Sequence, residues 1–423
     1  MEKNICKVAI IGCGARGGNT YGPMFFMDKE KFLINSVCDI KPDRVDYYKG
    51  LWSIDEKNCF YTEESFFEEK HGDLLVIATQ DRDHVRHAIR GLELGYDILL
   101  EKPISPVKEE LLRLLEAQKK YNRKILVCHV LRYAPAFLKI KALLDEGNIG
   151  RLLHIEWIEQ VGWWHQAHSF VRGNWRNESE TSPMIMAKTC HDLDLLQYYA
   201  DARASTVYSE GDRSFFNADN KPEGATDRCE TCPHIQTCPY SAERIYVERW
   251  LKNKPDCSWP YNTFCFEVPI TEEALRKAYQ TTQYGRCVFA CDNDVVDNQT
   301  VCIKFENGVR ATLTMSAFTN AMGRIATFHG TEGEILFDER RDEIRVCTFF
   351  EEEKVYKISE LLSDKMLNSY GHGGGDFILV KTIYDMIYNG KTATTSLENS
   401  VESHLIALAA EESRKSGKTI AIH

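Results

Sequence analysis

Three glycines spaced as Gly12-x-Gly14-x-x-Gly17 follow a short apolar run, Val8 to Ile11. Residues of this type in this order can seat a dinucleotide. The first glycine permits a tight turn, the second lets backbone approach a pyrophosphate, and the third lets helix and strand pack closely. Ala15 and Arg16 complete the loop, and the phosphates would rest on the N-terminus of the helix that follows. A second apolar run, Phe32 to Cys38, ends in Asp39, 22 residues beyond Gly17. A carboxylate there accepts hydrogen bonds from an adenosine ribose, and its charge repels a 2′-phosphate. The expected cofactor is therefore NAD rather than NADP, a preference softened by the nearby Lys41 and Arg44.

Three further stretches carry residue types suited to a site. Trp163-Trp164-His165-Gln166-Ala167-His168 is followed by Arg172-Gly173-Asn174-Trp175-Arg176. Flat aromatic faces and forked donors of this kind recognise sugar rings, their hydroxyls or an anionic substituent, and Trp packing under a long loop is the competing reading. Tyr370-Gly371-His372-Gly373-Gly374-Gly375-Asp376 places consecutive glycines before a predicted helix, Phe377 to Tyr388. Such a run costs chain entropy and marks a close approach, or else a flexible turn with a capping Asp. The third is Cys229-x2-Cys232-x5-Cys238, with His234 inside it and Cys257 beyond. Thiolates at CxxC spacing can hold one metal, and a tetrahedral structural zinc would take Cys257 as fourth ligand, with His234 in reserve. An iron–sulfur cluster and metal-free thiols are the alternatives.

The elements that position these residues follow from periodicity. LLVIAT after Asp73 reads as a buried strand and His84 to Leu94 as an amphipathic helix, with Gly95 at its C-terminal cap. Asp97 to Leu100 is a strand, Ser105-Pro106 opens a second helix, and Lys124 to Cys128 is a further strand. This alternation is that of a doubly wound parallel sheet. It predicts a Rossmann domain over residues 1–127. Residues 128–423 form a mixed α/β domain with an open, largely antiparallel sheet. There Leu153, Ile155, Trp157 and Val161 alternate with polar residues, and Thr300 to Ser316 reads as a hairpin with a two-residue turn at Asn307-Gly308. Residues 211–292, irregular and rich in Cys, Pro and aromatics, read as an inserted subdomain.

Composition narrows the function classes. The chain has 423 residues, 43% hydrophobic and 27% charged, which suits two globular domains. A formal charge of −11 and a pI near 5.7 disfavour nucleic acid or an anionic membrane as partner. No run approaches the ~20 apolar residues that span a bilayer. The N-terminus enters the first strand without a signal-peptide cleavage region, so a cytoplasmic location is expected. Fifteen cysteines in strands and helices read mostly as reduced, buried thiols.

The GxGxxG turn, Asp39, the IAT strand with Thr79 and His84, and Glu101-Lys102-Pro103 together resemble the Gfo/Idh/MocA family of sugar oxidoreductases. The resemblance continues through Arg132-Tyr133, EGNIGRL at Glu146 to Leu152, and HGTEGEI at His329 to Ile335. It implies a Rossmann domain followed by an α/β domain whose sheet often mediates homo-oligomerisation. It also implies hydride transfer between a sugar or cyclitol hydroxyl and NAD(P). Thr79, His84, Glu101 and Lys102 would then line the cofactor, and Tyr133 the substrate. Lys102, at the carboxyl edge of the sheet, suits donation to a substrate hydroxyl and stabilisation of the developing alkoxide. His191 in KTCHDLD resembles the family's active-site histidine, with Asp194 in its HxxD position, and histidine is suited to accept a hydroxyl proton. The chain departs from the family's DxGxH, having Ala187 and Thr189 where Asp and Gly are common. Lys188 lies between them and could supply the missing polar function. GHGGGD resembles a motif in a branch that includes NAD-dependent glycosidases. The resemblance thus leaves three readings: an NAD-dependent sugar dehydrogenase, a redox-neutral glycosidase that oxidises, eliminates, hydrates and re-reduces, and a non-catalytic sugar- or NAD-sensing regulator.

Overall fold

The structure is a computed structural model, which describes residues 4–253, 259–265, 269–361 and 371–423. Its first sheet is built from β1 (Cys6–Ile11), β2 (Phe32–Cys38), β3 (Cys59–Phe60), β4 (Leu74–Ile77), β5 (Asp97–Leu100) and β6 (Ile125–Val127). All are parallel in the order β3-β2-β1-β4-β5-β6. Strands covered on both faces read as near-continuous apolar runs, as LLVI and Ile98–Leu100 do; the helices His84–Glu93 and Lys108–Tyr121 cover one side. The strand order reverses between β1 and β4, so ligands of such a sheet sit at the carboxyl ends of those strands.

The second sheet contains β7 (Leu152–Gln160), β8 (Ala204–Asp212), β9 (Asn298–Phe305), β10 (Arg310–Ser316), β11 (Gly323–Gly330), β12 (Gly333–Asp338), β13 (Glu343–Thr348), β14 (Lys354–Lys357) and β15 (Ile420–Ala421). Their order is β14-β13-β12-β11-β7-β10-β9-β8-β15. Only the β7–β10 pairing is parallel, so the sheet is mixed and largely antiparallel. Alternation places Ile155, Trp157, Val301, Ile303, Leu313, Ala326 and Phe328 on its inner face, where Cys190–Ala200 and Leu397–Ser416 cover it. The β9–β10 turn is longer than the two residues expected. Phe305 N–H donates to Val309 O at 2.9 Å, and only Gly308 takes a positive φ, +90°. That is a three-residue loop closed by a glycine bulge, which matches strand twist as well as a two-residue turn does.

The irregular insertion has its own core of Phe216, Ile245, Tyr246, Trp250, Phe264 and Tyr279, which Trp164, Ala167 and Val171 join from the preceding loop. Asp297 closes its neck, accepting from the backbone N–H groups of Ser214, Phe215 and Phe216 at 3.0, 2.8 and 3.3 Å.

A late segment of the chain packs on the first sheet. The helix Gly375–Tyr388 returns to the first domain, where Leu379, Val380, Ile383 and Met386 are buried among Val8, Phe25, Phe32 and Leu126. Each such side chain contributes roughly 1.5–3 kcal/mol. Tyr384 Oη donates to Asn4 O at 2.9 Å, and Thr395 O accepts from Val127 N at 2.9 Å. The amphipathic pattern of this helix reveals that it is buried but not against what.

Candidate functional site

The glycine loop leaves β1 and is held open by contacts that only glycine allows. A Cβ on Gly12 would stand 2.4 Å from Ala78 O, and one on Gly17 would stand 2.1 Å from Gly12 O. The loop therefore lies against β4 with no side chain between backbone and the crevice, the cradle that a pyrophosphate requires. Asp39, at the end of β2, is almost fully buried. Its Oδ2 accepts from Cys13 N at 2.8 Å and lies 3.4 Å from Arg44 Nη1, while Oδ1 accepts from Lys41 N at 2.9 Å. The residues present thus fit NAD, whose chemistry when bound is to accept or return a hydride. Gly12, Gly14, Ala15 and Gly17 would hold its pyrophosphate and Asp39 would edge its ribose.

Arg16 turns inward. Its Nε donates to Glu101 Oε1 at 2.6 Å and its Nη2 to Asp376 Oδ1 at 2.6 Å. Tyr21 Oη also donates to Glu101 at 2.6 Å. Burial alone would raise the Glu101 carboxyl, but the adjacent Arg16 and Lys102 charges outweigh it and hold the group below its usual range. His84 lies beneath this edge, with Nδ1 2.7 Å from Pro103 O and Nε2 3.2 Å from Thr79 O, so it ties the end of β4 to the Lys102-Pro103 turn. Thr79 Oγ1 is engaged by His87 Nδ1 at 3.1 Å.

Lys102 follows β5 and donates from Nζ to Ala187 O at 3.1 Å. Where the family pattern has an Asp side chain, this chain thus offers a backbone carbonyl. His191, in the first turn of Cys190–Ala200, is nearly enclosed, and its Nδ1 is buried without a hydrogen-bond partner. Burial, reinforced by the Lys102 charge and by His372, holds its pKa well below the usual imidazole value. The ring is neutral near pH 7 and able to accept a proton. The His372 ring lies 5.7 Å from His191 between centroids, and the His129 ring 5.9 Å on its other flank.

Lys188 points into a buried ionic network. Its Nζ lies 2.8 Å from Glu159 Oε1, and Arg324 bridges Glu159 at 3.1 Å and Asp192 at 2.7 Å. Trp157 Nε1 donates to Asp192 at 2.8 Å. Burial, opposed by Arg324 and aided by the Glu159 charge, pushes the Asp192 carboxyl up to about 6. None of Glu159, Asp192, Arg324 or His129 was singled out from sequence, although a signal existed. Glu159 and Arg324 occupy inward positions of β7 and β11, in phase with Trp157 and Ala326, and a charge on a buried face marks a site.

Of the aromatic stretch, His165 borders this centre. Burial lowers its pKa first, and the Lys188 charge lowers it further. Trp164, His168 and Arg172 face the insertion. Trp164 lies under the Arg249 guanidinium at 3.8 Å, and His168 stacks on Tyr284 at 4.8 Å and bonds Tyr246 Oη at 3.0 Å. Arg172 is fully buried and donates to Arg286 O at 2.6 Å and Tyr240 O at 2.7 Å. Trp175 Nε1 lies 3.3 Å from Asp81, and Arg176 pairs with Asp292 at 3.0 Å. Tyr133 is buried with its hydroxyl 3.0 Å from Thr395 Oγ1, and Arg132 clasps Asp194 at 2.7 Å. These groups brace the walls around the centre that Lys102, Lys188, His191 and His372 share.

The zinc expectation finds no support among the described residues. Among the described residues no group of three or more His, Cys, Asp or Glu is placed to hold a metal ion, and Cys257 lies outside them. The cysteines that gather with Cys229, Cys232 and Cys238 around a small cavity include Cys287. Cys229 Sγ accepts from Ala242 N at 3.3 Å, His234 Nε2 bonds Glu223 O at 2.8 Å, and burial pushes the Cys238 and Cys287 thiols up. Among the described residues no helix is long and apolar enough to cross a membrane.

Comparison with known proteins agrees with this architecture. Residues 6–129 match the NAD-binding Rossmann fold of an oxidoreductase family, and residues 141–422 match that family's C-terminal alpha/beta domain. The chain is 24% identical over 369 residues to the putative oxidoreductase YteT of Bacillus subtilis, covering 84% of this chain and 82% of that protein. It is 28% identical over 213 residues to an inositol 2-dehydrogenase of Corynebacterium glutamicum, covering 49% of this chain and 57% of that protein. A levoglucosan dehydrogenase solved with NADH and levoglucosan shares the fold with a TM-score of 0.70 at 19% identity, over 99% of this chain and 100% of that one. The protein therefore belongs to the Gfo/Idh/MocA oxidoreductase family.

Proposed function

We propose that this protein is an NAD-dependent dehydrogenase of a hydroxyl on a sugar, sugar derivative or glycoside. The observation that carries the reading is the neutral, nearly enclosed His191 beside Lys102 at the carboxyl edge of the nucleotide-binding sheet. His191 takes the hydroxyl proton, and Lys102, anchored on Ala187 O, steadies the alkoxide oxygen as charge develops. Lys188 is held by Glu159 and keeps a second ammonium at the rim of the same centre. The dehydrogenase and inositol relatives support a polyol substrate class. Asp39 favours NAD over NADP. The open face of the second sheet, with Ile158 exposed, suits a homo-oligomeric contact.

A second reading is a redox-neutral glycosidase, favoured by His372 and Asp376, which place another acid–base pair beside His191. Purified protein with NAD and a panel of free sugars, myo-inositol, levoglucosan and p-nitrophenyl glycosides separates the two. NADH formation without nitrophenol is the expected result, and nitrophenol release without NADH build-up would replace it by the glycosidase. Lys102→Ala and His191→Ala are each expected to lower turnover by about 100-fold or more. Turnover within severalfold of wild type would refute the site. Tighter quenching of Trp fluorescence by NADP than by NAD would refute the role given to Asp39.

A further inference from the structure

His191 is a base that cannot keep what it takes. It is enclosed, its Nδ1 has no partner, and positive charge on Lys102 faces it. Oxidation of an alcohol by NAD yields a carbonyl, NADH and one proton, so each turnover leaves a proton on this ring that must reach solvent. Two other rings flank it. His129 is fully buried and neither of its nitrogens has a hydrogen-bond partner; its Nε2 lies 3.8 Å from the equally buried Asp194, and the next ring beyond it, His404, is fully buried and bonded to Ile104 N and Ser400 O. That direction leads nowhere. His372 is the flank that opens outward, with 37% of its side chain exposed.

His372 is also built in place. Its Nδ1 lies 2.9 Å from Oδ2 of Asp376, a carboxylate that is itself fully buried and whose other oxygen is held by Arg16 at 2.6 Å. An Nδ1–H donated to that carboxylate leaves Nε2 bare to receive a proton, and the anion stabilises the imidazolium that forms. The backbone is forced into this arrangement. His372 has φ +55°, rare for a residue with a Cβ, and is followed by Gly373 and Gly374 at +60° and +86°. A Cβ on Gly371 would sit 2.7 Å from Asp376 Oδ2, and one on Gly375 would sit 2.3 Å from Val130 O. Glycine is therefore required on both sides of His372 to press this pair against the wall of the site, and a strained non-glycine residue in such a place is a functional indicator.

We propose that His372, oriented by Asp376, is the proton outlet of this site: it receives the substrate hydroxyl proton from His191 and releases it to solvent. The inference rests on the dehydrogenase reading above, and it makes His372 a shuttle rather than a substrate contact. The ring centroids stand 5.7 Å apart, a separation that one bridging water spans.

The test uses the full chain with NAD and whichever panel sugar yields NADH, comparing wild type with His372→Ala and Asp376→Asn in dilute buffer and in rising imidazole at constant ionic strength. His372→Ala is expected to lower kcat by about tenfold or more in dilute buffer, with KM and NAD quenching of Trp fluorescence little changed, and imidazole is expected to restore kcat. Asp376→Asn, which keeps a hydrogen bond but loses the anion, is expected to fall between the two. Wild-type kcat in dilute buffer for His372→Ala overturns the proposal, as does a raised KM at unchanged kcat, which would make His372 a substrate contact. A loss that imidazole does not restore, accompanied by weakened NAD quenching, overturns it in favour of a structural role. Failure of wild type to form NADH with any panel member refutes the dehydrogenase reading, and the outlet with it.

Discussion

Replacing Glu159 by Gln tests whether the second sheet delivers Lys188 through electrostatics. The wild-type carboxylate stands 2.8 Å from Lys188 Nζ and 3.1 Å from Arg324 Nη2 and is excluded from solvent. Breaking a buried pair from one side costs about 3–5 kcal/mol, because the partner is left charged. Lys188 retains 19% side-chain exposure, Arg324 still has Asp192, and Gln keeps an oxygen, so a loss of about 2–3 kcal/mol is expected. In thermal unfolding of the 423-residue chain without ligand that corresponds to a fall in Tm of about 2–3 °C. Adding Lys188→Met removes the stranded charge, so the double variant is expected to be more stable than the sum of the two single losses. Additive losses within about 0.5 kcal/mol would refute the pairing, as would an unchanged Tm for Glu159→Gln. The pH dependence has a defined sign. Burial opposes the Glu159 charge, but Arg324 and Lys188 hold its pKa below the usual range, so its stabilisation is present above the unfolded carboxyl range and fades as pH falls through the lowered value. Asp192 acts oppositely, its raised pKa stabilising the fold below its unfolded value and losing that contribution as pH rises toward about 6.

Burial holds His168 and His404 neutral, with pKa values lowered to about 3. Each takes up a proton only on unfolding, so their stabilisation is complete above 6.5 and is lost as pH falls below it. A Tm that is flat between pH ~7 and ~5 would contradict this, and His404→Gln is expected to reduce the slope by about one proton. Gly17→Ala puts a Cβ 2.1 Å from Gly12 O and is expected to weaken NAD quenching of Trp fluorescence by about tenfold or more; wild-type NAD affinity would show that the glycine loop is not the cradle.

Much of the nucleotide domain was legible because its signals are local. Lys7 to Gly18 contains a strand, its stop and the glycines in consecutive residues, and both helices after β4 end at a residue of positive φ, Gly95 and Asn122. The second sheet was legible in class but not in order, since alternation reveals which face of β7 is buried and not that β10 runs parallel to it. The site was partly hidden for the same reason. Glu159, Asp192 and Arg324 come from β7, a helix and β11, and only pairing register brings them within 3.1 Å of one another through Arg324. Arg172 and Tyr133 misled because a forked donor and a phenol read alike from sequence whether they face a ligand or a neighbouring carbonyl. The cysteine spacing was real, but gathering thiols is a property of the insertion's path, which brought Cys287 rather than a residue in the nearby sequence.

The helix Gly375–Tyr388 and Thr395 complete the first sheet from the far end of the chain. Synthesis at 5–20 residues per second therefore leaves the nascent nucleotide domain waiting roughly 10–50 s for its last layer. During that interval Val8, Phe25 and Phe32 lack the cover of that helix. A ribosome that stops early releases a domain with an open hydrophobic side.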